Sequence, residues 1–421
     1  MLQELNQKII QVTRRFTMKL KIILMLAFNL TTVITHAQST DPYKVGNITY
    51  RPAVLSEYLS LVSANNGSIQ SKRYATSSAI AQKDIMSASN LNAFMSYGRG
   101  TYFSQVPYTP YESPKSNTVS LTGTIEGFGK RAARTHLSIM EIERNQIELE
   151  LTEKSVQKDA AYVYLDTLRF KLILESIQEA LKKLDPSKDQ QDINTLMQAQ
   201  KGAARDLQYF AYTMGTYTNQ RFDTLWVPAG SIEKIKIQDF QIEDLIDKAL
   251  SNRSDVLYLK GAIRSAEASY ELAKKNRNIN VTPSIWLSQT PAYIANGNDY
   301  KKTLAYGFSV NVPIPTHLLH ESELIQEANN KLSLEASLND LQSKVVAEVN
   351  QAFMQYDDAK TKILEDEISF KDSLHQNPES SAKDILSNRE AKVNLIDSRI
   401  NHLKALINLL QTSGIYTFPA L

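Results

Sequence analysis

The sequence predicts a mostly α-helical chain with a β-barrel portion, arranged as a tandem structural repeat. Three observations carry that reading. Two stretches of roughly fifty residues space their apolar side chains in alternating steps of four and three, as long coiled-coil helices do. Four segments of about ten residues alternate apolar and polar side chains and fall into two pairs. The order of these elements then occurs twice, at an offset of about 187 to 188 residues.

The chain has 421 residues, and its 42% hydrophobic content is enough for a large core. With 47 Lys and Arg against 45 Asp and Glu, the net charge of +2 provides no general field for a polyanion, so no nucleic-acid partner is expected. Cysteine is absent, which removes disulfides, thiol nucleophiles and thiolate metal sites. A mean hydropathy of −0.32 with one long apolar run excludes a bundle of membrane helices. It does not exclude a membrane β-barrel, whose strands show lipid only every second residue.

Arg14, Arg15, Lys19 and Lys21 precede that run at Ile22 to Ile34, and Thr35-His36-Ala37 follows as a small-residue cleavage site. Residues 1–37 therefore read as a leader and signal peptide, with Met18 as an alternative start and an N-terminal membrane anchor as the competing reading. Export without cysteine points to a bacterial envelope protein.

The first repeat, 38–216, opens with a helix from about Ala53 to Ser89. A β pair follows near Ala93 to Phe103 and Thr118 to Glu126, where Val119, Leu121 and Ile125 alternate with Ser120, Thr122 and Glu126. The first long helix runs from about Gly129 to Leu184, with its seam at Ala161, Leu165, Leu168, Leu172, Ile173, Ile177, Ala180 and Leu184. Asp185-Pro186-Ser187 breaks it, and a shorter helix from about Lys188 to Tyr212 returns, with Ser187 as expected N-cap. Residues 217–240, with Pro228, Gly230 and the run Ile232 to Ile237, read as an irregular insert beside the helices.

The second repeat, 241–421, follows the same order. A helix spans about Ile242 to Arg277, and the β pair lies near Val281 to Thr290 and Thr303 to Val312, with Tyr306, Phe308, Val310 and Val312 on one face. The second long helix, about Leu318 to Leu374, carries a seam at Leu334, Leu338, Leu341, Val345, Val349, Ala352, Tyr356, Ala359 and Ile363. It ends at Asn377-Pro378-Glu379-Ser380, and a helix from about Ser380 to Leu410 follows, capped by Ser380 or Ser381.

Four strands are too few to close a membrane barrel, and open edges in lipid leave backbone groups unpaired at several kcal/mol each. Copies must therefore associate, and three would supply a shared 12-stranded barrel. Tyr97, Tyr102, Phe103, Tyr108, Tyr111, Trp286, Tyr293, Tyr300 and Tyr306 cluster around the strands, where interfacial aromatic girdles belong. A soluble antiparallel sheet alternates in the same way and is the competing reading of the strands alone.

Thr124-Ile125-Glu126-Gly127-Phe128-Gly129-Lys130-Arg131, Asn252-Arg253-Ser254-Asp255-Val256 and Val310-Asn311-Val312-Pro313-Ile314, in that order within a tandem repeat, resemble the TolC family of outer-membrane efflux proteins. Ser254 stands where the family usually has Pro. The resemblance covers about Leu55 to Gly414. It implies a homotrimer: four strands per chain in an outer-membrane β-barrel, continued by a long α-helical coiled-coil periplasmic barrel. It also implies end-to-end stacking of the short helices, the Ala53 segment on the Lys188 segment and the Ile242 segment on the Ser380 segment. The implied function is a passive exit duct of a tripartite efflux pump or type I secretion system. The implied partners are outer-membrane lipid, a periplasmic adaptor (membrane fusion) protein and an inner-membrane transporter of RND, ABC or MFS type.

In that family acidic rings and inter-helix polar bonds hold the closed tips. By position Asp192 and Asp384 are the ring carboxylates, with Lys188, Lys383 and Arg389 as latch partners. The helix-tip turns are Asp185-Pro186 and Asn377-Pro378, with Pro where the family usually carries Gly. Each of these charges can equally be a solvated helix-start residue.

Gly127-Phe128-Gly129-Lys130-Arg131 lacks the spacing of a phosphate loop and reads as a flexible strand-to-helix passage with basic residues at the barrel rim. His317 and His320 have no third ligand nearby, and acid pairs such as Glu141/Glu143 and Asp357/Asp358 read as solvated faces. No nucleophile constellation or cofactor motif is present, so the chain reads as a non-enzyme. The alternative is a soluble periplasmic coiled-coil adaptor or tether with a small capping sheet.

Overall fold

The computed structural model describes residues 44–45, 48–88, 94–101, 115–219, 224–232, 237–295, 298–313, 317–376 and 381–419. The leader, Asn377 and Pro378, and Tyr102, Phe103, Tyr108 and Tyr111 lie outside the described residues. Two units are distinguished, residues 1–51 and 52–421. In the first, β1 (Lys44–Val45) pairs antiparallel with the start of β2 (Ile48–Ala53), Lys44 facing Thr49 and Val45 facing Ile48.

The second unit holds the repeat. Helices α1 (Leu55–Asn65) and α2 (Gly67–Ser87) lead into strands β3 (Phe94–Thr101) and β4 (Lys115–Thr122). The long helix α3 (Lys130–Lys183), α4 (Gln190–Tyr217) and strand β5 (Thr224–Pro228) follow. Helices α5 (Ile242–Asn252) and α6 (Ser254–Asn276) then lead to β6 (Thr282–Thr290), the small hairpin β7 (Tyr293–Ala295) and β8 (Asn298–Tyr300), and β9 (Thr303–Asn311). The second long helix, α7 (His317–Gln376), and α8 (Ala382–Thr412) complete the order. An offset of 187 residues separates Leu55 from Ile242, Gly67 from Ser254 and Lys130 from His317.

Each helix predicted ahead of a strand pair is in fact two helices, and the breaks are equivalent. Asn66 and Arg253, also 187 residues apart, both take extended backbone with ψ of 129° and 128°. Neither position is marked by Pro, so the helical periodicity runs through it unbroken; the cause is tertiary. The Asn66 carboxamide accepts from the Ser68 and Ile69 amides at 3.0 and 3.5 Å, and its Nδ2 donates to the Tyr217 carbonyl at the end of α4. At the second break the Tyr416 hydroxyl bonds the Ser254 amide and hydroxyl, each at 3.0 Å, just beyond the end of α8. The short helices therefore meet end to end, α2 at α4 and α6 at α8, and an interrupted rod lies beside each long one.

Seam positions on α3 and α7 are buried, with Ala161, Leu165, Leu168 and Ile177 on one and Val345, Val349, Tyr356 and Ile363 on the other. At about 1.5 Å per residue both long helices reach on the order of 80 to 90 Å. Helix α2 packs on α3, α3 on α6 and α6 on α7, while beyond the breaks α4 packs on α3, α3 on α8 and α8 on α7. The sheet follows the same chain order, β3-β4-β6-β9, all antiparallel. Residues 224–228 of the predicted irregular insert form a strand, because Leu225 and Trp226 are buried where β5 packs on α3 and α4.

The first tip turn is an Asx turn: the Asp185 carboxylate accepts from the Ser187 amide at 2.9 Å and the Asp189 carboxylate from the Asp185 amide at 3.0 Å. The N-cap of α4 is Asp189, not Ser187, since Ser187 is absorbed into that turn. The N-cap of α8 is Ser381.

Asn66→Ala removes an N-cap and an inter-helix hydrogen bond together. A loss of about 1–2 kcal/mol is expected, read as a lower midpoint in thermal denaturation followed by far-UV circular dichroism.

Candidate functional site

Register places apolar side chains in rows across one face of the four-stranded sheet. Tyr97 faces Val119, Val119 faces Leu287, and Leu287 faces Tyr306; one row along, Leu121 faces Ile285 and Ile285 faces Phe308. All of these side chains are exposed, Tyr306 at 82%. The opposite face is polar and internally bonded, with hydroxyl pairs Ser96–Ser120 at 2.6 Å, Thr118–Ser288 at 3.0 Å and Thr122–Ser284 at 2.9 Å. A soluble sheet would bury the apolar face and wet the other. Here the apolar face carries the exposed aromatics, and the band from Leu304 to Val312 runs about 27 Å along the strand, close to the about 25 Å apolar band of membrane barrels.

Trp286 departs from the expected girdle. It lies on the polar face and covers Gly307, where an added Cβ would sit 2.5 Å from the indole ring. Strand parity decides this, since Trp286 stands one residue out of phase with Ile285 and Leu287. Tyr97 and Tyr306 do lie on the apolar face. Among the described residues, β3 and β9 pair on one side only and are the edges of the sheet.

The strand-to-helix passage is sterically fixed rather than flexible. A Cβ on Gly127 would meet the Ile279 carbonyl at 2.8 Å, and Gly129 adopts φ of 82°. The Gly127 amide and the Lys130 ammonium both donate to Asn280 Oδ1, at 3.0 and 2.9 Å, and Asn278 Nδ2 donates to the Phe128 carbonyl at 2.5 Å. Arg134 pairs with Glu126 and donates to the Met86 carbonyl at 2.9 Å, while Arg131 donates to the Ser87 carbonyl at 2.6 Å. Those bonds pin the end of α2 to the start of α3. Phe128 itself is 94% exposed.

Below the breaks, α8 is clamped from two sides. Arg169 on α3 makes two 2.7 Å bonds to Asp397, Lys404 bonds Asp166 at 2.6 Å and Lys392 bonds Glu179 at 2.5 Å. Toward α7, Arg399 bonds Glu367 at 2.8 Å, and Ser398 bonds Asp366. The Asp397 hydrogen bonds raise the Arg169 pKa against its partial burial, and the Lys392 hydrogen bond lowers that of Glu179. Each exposed pair is worth little alone, about 0–1 kcal/mol. Their effect is to set register between helices.

The predicted gate residues are not gathered into one cluster within the chain. Lys188 lies 3.7 Å from Asp185 across the first turn. The Asp384 carboxylate accepts from the Ser381 amide at 3.1 Å, completing a capping box. Asp192 is half-buried in the first turn of α4, and Lys383 is exposed. Arg389 lines a groove between α3, α7 and α8 with Ser176, Glu179 and Asn388, and burial lowers its pKa. His317 and His320 open α7, with side chains outside the described residues; among the described residues no group of three or more His, Asp or Glu is placed to hold a metal ion.

Sequence reading passed over one polar site. His402 on α8 is fully buried against the Tyr356 ring, centroids 5.1 Å apart, and neither ring nitrogen has a hydrogen-bond partner among the described residues. The Tyr356 hydroxyl accepts from the Gln238 amide at 3.2 Å and donates to the Gln238 carbonyl at 2.7 Å, while Lys360 pairs with Asp239 at 2.5 Å. The insert is thus tied to α7 opposite the buried His402 ring. Burial first, then the Lys360 charge, lowers the His402 pKa. Its sequence signal was weak: His402 stands between Ile400 and Leu403 in a helix so rich in apolar residues that one imidazole changes no pattern.

The sequence matches no family model, and no curated relative aligns with it. Solved structures do match. A membrane protein from Pseudomonas aeruginosa superposes with a TM-score of 0.65 at 14% identity, over 91% of this chain and 100% of that one. The Campylobacter jejuni CmeC outer membrane channel gives 0.62 at 12% identity, over 90% and 94%. The open state of the Neisseria gonorrhoeae MtrE outer membrane channel gives 0.60 at 14%, over 91% and 96%. At these identities the likeness is one of fold, and the fold is that of outer membrane channels.

Two measurements check the site. A histidine held neutral by burial stabilises the folded state above its unfolded pKa of about 6.5, and that contribution is lost as the pH falls toward the lowered folded value, at up to about 1.4 kcal/mol per pH unit. The thermal midpoint should therefore drop between pH 7.5 and 5.5, and His402→Phe should flatten that slope. Gly307→Val should displace Trp286 and shift its fluorescence; an unaltered spectrum would contradict the close indole contact.

Proposed function

We propose, on the premise of a fold shared with TolC-type outer membrane channels, that this chain is a passive outer-membrane exit duct that works as a homotrimer. The observation that carries the reading is the exposed apolar face of a four-stranded sheet whose edges, β3 and β9, are the same first-repeat and second-repeat ends that bound the helical layers. Closing one layer head to tail closes the other, and a threefold ring gives twelve strands. Exposed apolar side chains on the outer helices support the same contact: Tyr74 and Ile85 on α2 and Tyr209 on α4 at one edge, Leu332, Met354 and Ile368 on α7 at the other.

Solutes in such a duct stay hydrated, so passage needs no chemical step by the protein. An inner-membrane transporter of RND, ABC or MFS type would supply the energy, and a periplasmic adaptor would join it to the helical tips. For the gate, Asp192 is the stronger ring carboxylate, because the Asp384 carboxylate is engaged in capping α8.

Purified full-length protein in mild detergent should have the mass of a trimer and conduct ions in planar bilayers. A non-conducting monomer overturns the reading, and release with soluble periplasmic contents would favour the tether instead. Asp192→Asn should reduce cation selectivity with the trimer intact; unchanged traces remove Asp192 from the gate.

A further inference from the structure

A strand-to-helix junction and a helix-to-strand junction lie side by side and form a collar with its own chemistry. Residues 125–134 carry Lys130, Arg131 and Arg134, and residues 274–283 carry Lys274, Lys275 and Arg277. Two acids beside these cations are engaged: Glu126 pairs with Arg134, and Glu271, just before the second segment, pairs with Lys274 at 3.7 Å. The junctions are adjacent: Ile125 bridges Val281, Asn278 and Asn280 bond the Gly127–Lys130 turn, and the Lys275 stem lies under Gly129. Exposed apolar side chains sit at the same level, with Ile125, Ile279 and Val312 continuing the apolar face of the sheet and Phe128 projecting beyond it.

We propose that this collar is a binding surface for anionic phospholipid, with Phe128 inserted at the acyl boundary of the periplasmic leaflet and the cations around Lys274 and Arg277 in contact with lipid phosphates. The inference rests on the membrane reading above and names the lipid class that reading leaves open. Exposed Phe costs hydration unless apolar matter covers it. The apolar band leads straight into it, and beside it Lys130, Arg131, Arg134, Lys274, Lys275 and Arg277 outnumber the acids Glu126 and Glu271. An aromatic ring at the headgroup level flanked by cations is complementary to a lipid surface and not to water or to another cationic collar. The fixed passage matters here, because Gly127 and Gly129 hold Phe128 outward without a mobile loop.

The test uses the full chain in phosphatidylcholine vesicles carrying a small fraction of brominated phosphatidylglycerol or brominated phosphatidylcholine. Phe128→Trp, with the signal of the two native tryptophans subtracted, reports which lipid is adjacent. Stronger quenching by the phosphatidylglycerol is expected at equal fraction. The preference should fall about fivefold for each cation removed in K274Q and R277Q, the equivalent of about 1 kcal/mol. It should vanish near 1 M salt, where the screening length is about 3 Å.

Equal quenching by both lipids overturns the anionic preference. An unquenched indole in the Phe128→Trp variant, in vesicles that float and resist alkaline extraction, means that a neighbouring copy or solvent covers the position, which overturns the inference while leaving the membrane reading intact. Failure of the wild type to insert at all overturns both.

Discussion

The need to pair the backbone at the sheet's two edges is the constraint on which the proposed assembly depends. Four antiparallel strands, apolar on one face, leave β3 and β9 as edges that pair on one side only among the described residues. In water such edges are a hazard that charge or Pro can blunt; in hydrocarbon they are prohibitive. The helical layers share the same open ends, so a contact that satisfies the strands also covers apolar side chains along the outer helices. The proposed head-to-tail ring would meet both needs with one symmetry operator.

The tandem repeat explains how one chain keeps its β and α layers in step. Equivalent breaks at Asn66 and Arg253 let an interrupted rod lie against each uninterrupted one. They also place polar groups where helix ends meet: the Asn66 side-chain amide satisfies the Tyr217 carbonyl at the end of α4, and the Tyr416 hydroxyl satisfies the Ser254 amide at the start of α6. The ion pairs between α8 and its two neighbours lie on the other side of these breaks. A modest energy per pair still fixes the register of α8, because an apolar coiled-coil seam tolerates sliding more readily than a two-bond Arg169–Asp397 contact does.

The faces of the sheet are more legible in the sequence than the contacts of single residues. Alternation in Val119, Leu121 and in Tyr306, Phe308, Val310 separates the two faces of the sheet in the sequence, whereas Trp286, grouped with the girdle there, is placed on the polar face by the strand register. The tip charges are assigned by position alone, and the sequence does not separate their roles, since a capping box and a ring carboxylate use the same residue type at the same helix start. His402 went unmarked because nothing local distinguishes a buried imidazole from a surface one.

The sequence by itself determined the long helices, the four strands, their duplication and the boundaries of most elements, because those depend on periodicity and on Pro, Gly and Asx signals acting within a few residues. Only the tertiary structure decided the breaks at Asn66 and Arg253, the strand at Thr224–Pro228, the sheet order and the rigidity of the Gly127–Gly129 passage. These depend on partners far away in the chain, such as Tyr217 for Asn66 or Asn278 for Phe128, and no local pattern encodes a contact at that separation.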